Sequence, residues 1–176
     1  MAILKDWIMT GVIAGKSASI GLGDSIKQVI RILGNPHDVS TCKEPLVYKY
    51  GILEIMFEYN DDMSDKLCCF FGIHFCQLKY VNKNFSYNFP LQLKPDSWFP
   101  SHDTRPEELE EYFSKNEISW QFYPYMTDED EPAYIARYAV FDFQNGLNKM
   151  FISNYHQISS NKGLALTAKQ KRRQKT

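Results

Sequence analysis

Ser25-Ile26-Lys27-Gln28-Val29-Ile30-Arg31-Ile32-Leu33-Gly34-Asn35-Pro36 spells out one helix with both of its ends. Ser25 and Gln28 have capping-box spacing, in which each side chain satisfies a free backbone donor at the other residue. Ile26, Val29, Ile30 and Leu33 then recur at i, i+3, i+4 and i+7, one apolar stripe on a helix. Gly34 supplies the stop and Pro36 prevents resumption. Downstream, Leu46 to Tyr50 reads as a strand, Gly51 as a turn or bulge, and Ile52 to Tyr59 as a second strand ending at Asn60-Asp61-Asp62. Leu67 to Leu78 reads as a third. It is apolar on both faces at its start, which suits a central strand covered on each side.

The order helix, strand, strand, strand returns further along. Thr104 and Glu107 again have capping-box spacing, Pro106 sits in the first turn, and Leu109, Tyr112 and Phe113 stripe a helix ending near Asn116. Ile118 to Met126, Tyr134 to Phe143 and Lys149 to Ile158 then read as strands. Tyr50-Gly51-Ile52-Leu53-Glu54 laid beside Tyr138-Ala139-Val140-Phe141-Asp142 gives the same order of aromatic, small, apolar, apolar and acid. The fold class is therefore α+β, with two tandem helix-then-three-strand repeats forming antiparallel sheet with helices on one face. Edge-to-edge pairing into one long sheet and face-to-face stacking of two sheets both satisfy this pattern.

These readings divide the chain into an N-terminal helix in residues 1–18, a first αβββ repeat in 19–80, an ordered linker in 81–103, a second repeat in 104–158 and a basic tail in 159–176. Leu4, Trp7, Ile8 and Gly11 give the first segment a helical face that docks through Trp7. Phe85, Tyr87, Phe89, Leu91, Trp98 and Phe99 call for burial of the linker. The tail carries Lys162, Lys169, Lys171, Arg172, Arg173 and Lys175 and no acid, and its composition predicts disorder. The whole chain has a net charge of −1, so removing those six cations leaves a body of −7. Such a body repels nucleic acid and membrane surfaces and suits a basic partner. The tail lacks aromatics that stack on bases, which argues against nucleic-acid binding. No run approaches the roughly 20 apolar residues that cross a bilayer. Asp6 and the shortness of the run from Trp7 to Ala14 argue against an export signal.

Gly23-Asp24-Ser25, Val29, Leu33-Gly34-Asn35-Pro36 and Val47-Tyr48-Lys49-Tyr50-Gly51 together resemble the Gly-x-Ser, Val, Leu-Gly-x-Pro, Tyr-Gly signature of small helix-plus-sheet modules. The similar families are the BamE/SmpA-like module and the tandem-repeat β-lactamase inhibitor protein. Similarity covers residues 20–78 in motif and 104–158 in architecture only. It implies a protein that holds or blocks another protein, and through the wider family a bacterial immunity protein that neutralises a toxin. The chain lacks the lipoprotein signal of the first family and the export signal of the second, so a cytoplasmic location is expected.

No catalytic motif is present. Thr10 to Ser17 nearly matches a phosphate loop, but a helical pattern leads in where a strand is required. Cys42, Cys68, Cys69 and Cys76 read as reduced thiols, and neither they nor His37, His74, His102 and His156 have metal-ligand spacing. No metal, no cofactor and no catalytic residue are predicted. The partner-binding candidates are Tyr123, Tyr125, Asp128, Glu129, Asp130 and Glu131. The acids form the loop of a strand hairpin, and strand alternation turns outward either Trp120 and Phe122 or Tyr123 and Tyr125; the tyrosines are favoured. Charge speeds encounter and aromatic burial holds the complex, so the predicted partner is a basic protein of toxin or nuclease type. The alternative is a small-molecule-binding domain or enzyme that uses a cleft between the repeats, with Glu54, His74 and Asp142 as its titratable groups.

Overall fold

In a computed structural model of the chain, residues 4–15, 17–41, 45–59, 66–75, 90, 93, 98–123, 132–144 and 146–153 are described. Helix α1 (Leu4–Thr10) buries Leu4, Trp7 and Ile8 completely, and the Trp7 indole donates to the Ala14 carbonyl at 2.8 Å. Gly11, at φ +70°, ends the helix and turns the chain into a hairpin of β1 (Val12–Ala14) and β2 (Ser19–Gly21). The Thr10–Ser17 stretch is thus entered by a helix and left by a strand, the reverse of a phosphate loop.

Helix α2 (Ile26–Leu33) has the ends its sequence specifies. Gln28 N donates to Ser25 Oγ at 3.4 Å, Ser25 N donates to Gln28 Oε1 at 2.8 Å, and Gly34 closes the helix at φ +80°. Four strands follow: β3 (Asp38–Val39), β4 (Leu46–Tyr50), β5 (Leu53–Tyr59) and β6 (Lys66–His74). β3 is an addition to the expected three, a two-residue strand on β4. Residues 76–78 of the expected third strand lie outside the described residues.

Helix α3 (Pro106–Lys115) begins one residue later than its capping pattern indicates. Arg105 is the N-cap, with its N–H donating to the Glu108 carboxylate at 2.8 Å, while Thr104 Oγ1 accepts from Ser101 N. The residue before a proline is pushed to extended backbone, and Arg105 at φ −88°, ψ 155° obeys that constraint. After it come β7 (Gln121–Phe122), β8 (Ala133–Ala136), β9 (Ala139–Phe143) and β10 (Leu147–Ser153). The stretch Tyr134 to Phe143, read as one strand, is a tight hairpin that turns at Arg137 and Tyr138. No glycine or asparagine marks the turn. Arg137 takes φ +46° there, and Tyr138 N donates to the Ile8 carbonyl, so the docked α1 helix holds the corner.

The architecture is α+β with antiparallel sheets. Eight strands form one sheet in the order β3-β4-β5-β6-β10-β9-β8-β7. Register aligns Leu53, Ile73, Met150, Phe141 and Tyr134 in one row and Ile55, Phe71, Ile152, Ala139 and Ala136 in the next. All ten are buried, and this face carries the core. Phe113 pins α3 onto it, with ring centroids 5.5 Å from Phe141 and 6.4 Å from Tyr134. No helix among the described residues is long and apolar enough to cross a membrane. Phe113→Ala is expected to cost about 3–5 kcal/mol, the usual loss for a buried phenylalanine, read as a lowered urea midpoint.

Candidate functional site

Two surfaces of the sheet bring functional side chains together. The first is the face opposite the core, where strand alternation points Glu54 of β5, His74 of β6 and Asp142 of β9 to one side. Glu54 Oε2 lies 2.7 Å from His74 Nε2, and Lys49 Nζ lies 3.3 Å from Glu54 Oε1. The hydrogen bond to His74, helped by the charges of His74 and Lys49, outweighs partial burial and lowers the Glu54 pKa to about 2. Asp142 is only 2% exposed. Its Oδ2 accepts from Asn148 Nδ2 at 3.1 Å, and its Oδ1 has no partner among the described residues. A register shift between Leu147 and Lys149 leaves Asn148 as the extra residue beside Asp142.

Of the three titratable candidates, the structure joins Glu54 to His74 and separates both from Asp142. Strands β6 and β10 lie between the two carboxylates, and Lys149 stands in register between His74 and Asp142. Three strand spacings amount to roughly 14 Å, well beyond the 5–10 Å over which paired carboxylates share acid-base work. Asp142 is also buried rather than on a solvent-facing position. His37 and His102 have structural roles: Gly51 N donates to His37 Nδ1, and His102 Nδ1 lies 3.2 Å from the Leu147 carbonyl. Cys68 is buried, which pushes its thiol pKa far up, and Cys68 and Cys69 are both unbridged. Among the described residues no cluster of three or more His, Cys, Asp or Glu is placed to hold a metal ion.

The second surface is the β7 rim. Trp120, Phe122 and Tyr134 form an aromatic stack, with centroids 5.0–5.6 Å apart, that carries the core out to the end of the sheet. Trp120 packs on Phe113, whereas Phe122 is 53% exposed. Tyr123 is half-buried, its N–H donating to the Ala133 carbonyl at 2.8 Å. The outward aromatic described here is therefore Phe122, because it lies at the rim, where no further strand shields the core side among the described residues. Tyr125, Asp128, Glu129, Asp130 and Glu131 lie outside the described residues.

Acidic side chains reach this rim from α3. Tyr134 Oη donates to Glu110 Oε1 at 2.7 Å. Burial first, then this bond and the charges of Glu110 and Glu107, hold the Tyr134 hydroxyl far above its ordinary pKa. Glu107, Glu108, Glu110 and Glu111 make α3 strongly acidic, and Glu110 is the one whose carboxylate meets Tyr134. The Glu-Glu-Leu-Glu-Glu spacing is visible in the sequence; the contact of Glu110 with Tyr134 is not.

No protein-family model, curated protein or solved structure matches the chain.

Because the folded Glu54 sits at about 2 against an ordinary 4.5, its contribution to stability is fully present above pH 4.5 and is lost as pH falls toward 2. Glu54→Gln is expected to remove a component on the order of 2–3 kcal/mol from that acid limb, measured by urea unfolding at pH 7, 4 and 3.

Proposed function

We propose that the protein is a protein-binding module, an immunity-type inhibitor that covers the active site of a basic partner with its β7 rim. The observation that carries this reading is Phe122, a half-exposed phenylalanine packed on Tyr134, whose hydroxyl is bonded to the Glu110 carboxylate of α3. An aromatic anchor that is already packed on one side loses little side-chain entropy on binding, and the adjacent charges steer a cationic surface toward it. The acidic run Asp128 to Glu131 falls between β7 and β8 in the sequence and lies outside the described residues. The body charge of −7 favours the same class of partner.

The reading takes the chain as two tandem repeats, α2 with β3–β6 and α3 with β7–β10, whose strand order mirrors about β6 and β10. The resemblance to BamE/SmpA-like modules and to the tandem inhibitor of β-lactamase belongs with this view. A cytoplasmic site of action fits the buried, unbridged Cys68. A second reading, a small-molecule site on the opposite face, draws on the Glu54–His74 pair and, separately, on the buried Asp142 two strands from His74, whose Oδ1 has no partner among the described residues.

The test is a pull-down from the native host with the intact chain, a Phe122→Ala/Glu107→Gln/Glu110→Gln variant, and Glu54→Gln as a folded control. A basic protein retained by the intact chain and the control, and lost at least tenfold with the triple variant, is expected. Retention of no protein by the intact chain, even after crosslinking, would remove this reading.

A further inference from the structure

The two ends of the sheet are treated differently. At β3, the Val39 N–H is taken by the carboxylate of the preceding residue, Asp38 Oδ1, at 2.9 Å. That edge donor is satisfied within the chain. At β7, Tyr123 N donates to Ala133 O, so residues 121 and 123 direct their backbone groups toward β8 and Phe122 directs its N–H and C=O away from the sheet. Neither group of Phe122 has a partner among the described residues. No lysine lies in Ile118-Ser119-Trp120-Gln121-Phe122-Tyr123, and β7 is two residues long, so its open edge is the single pair of Phe122 backbone groups.

We propose that β7 accepts an extended, basic segment of the partner protein as an added strand, paired through the outward backbone groups of Phe122. This mode rests on the protein-binding reading and specifies how the partner is held. Main-chain bonds supply affinity in strand addition, and alternate side chains supply choice. A lysine or arginine of the added strand, pointing to the core side, lays its aliphatic stem on the exposed Phe122 ring and brings its charge to Glu107 and Glu110. The acidic helix selects cationic side chains, and the open edge requires an unblocked extended backbone.

The probe is a blocked heptapeptide alternating valine and lysine, added to the intact chain. It is compared with a fully N-methylated version and with a version carrying glutamate for lysine. Binding is followed by amide chemical shifts and by hydrogen exchange at the Phe122 amide. The unmethylated basic peptide is expected to slow Phe122 exchange at least tenfold. Methylation, the glutamate replacement, and Glu107→Gln/Glu110→Gln in the protein are each expected to weaken binding at least tenfold. Equal binding of the methylated peptide overturns strand addition while leaving the protein-binding reading intact. Absence of any effect at Phe122 also overturns it, and the pull-down then decides the broader reading separately. Self-association of the chain through β7 without peptide, seen by sedimentation, overturns it as well, because the edge then belongs to a second copy.

Discussion

The pairing of β6 with β10 is the constraint on which the rest of the molecule depends. These strands are far apart in sequence, β6 ending at His74 and β10 beginning at Leu147, and five register pairs, from Lys149 with His74 to Ser153 with Phe70, join them. Without that ladder, two four-stranded sheets would each show an inner edge lined with Phe71, Ile73, Met150 and Ile152. With it, those side chains complete rows that run unbroken across the core face. Burying each one stabilises the fold by roughly 1.5–3 kcal/mol, so the seam contributes as part of the core rather than as a docking contact between two bodies.

Closing the inner edges fixes what remains for function. Among the described residues the sheet retains two outer strands, β3 and β7, and β3 satisfies its Val39 donor with a neighbouring carboxylate. Phe113 holds α3 over β8 and β9, which brings Glu110 to the Tyr134 hydroxyl, and the Trp120, Phe122 and Tyr134 rings carry the apolar face to the rim. On the opposite face the same seam keeps Glu54 and Asp142 apart, with Lys149 between His74 and Asp142. One pairing choice therefore keeps Glu54 and Asp142 from forming a single two-carboxylate centre.

The elements legible in the sequence are those whose information is local. The α2 helix carries its own capping box and glycine stop, and Gly51 announces the β4–β5 turn at φ +64°. Where tertiary contacts decide, local reading fails. Arg137 has no turn signature, yet α1 fixes the corner there through Ile8, so a ten-residue apolar run folds into a hairpin. Pro106 overrides the Thr104–Glu107 spacing by holding Arg105 extended, which shifts the cap by one residue. Alternation correctly separates Phe122 from Tyr123 but cannot say which side ends at solvent, because that depends on β7 being outermost among the described strands. Glu54 and Asp142 look equivalent in sequence, and their separation is set by long-range register that no local pattern encodes.

Native-state hydrogen exchange along a denaturant series tests the seam most directly. If β6 and β10 make one cooperative sheet, their amides exchange only through global unfolding, with the same free energy and denaturant slope as the interior amides of β5 and β9. A sub-global opening that exposes β8, β9 and β10 at low denaturant, while β4 to β6 stay protected, would show two separable halves and contradict the account.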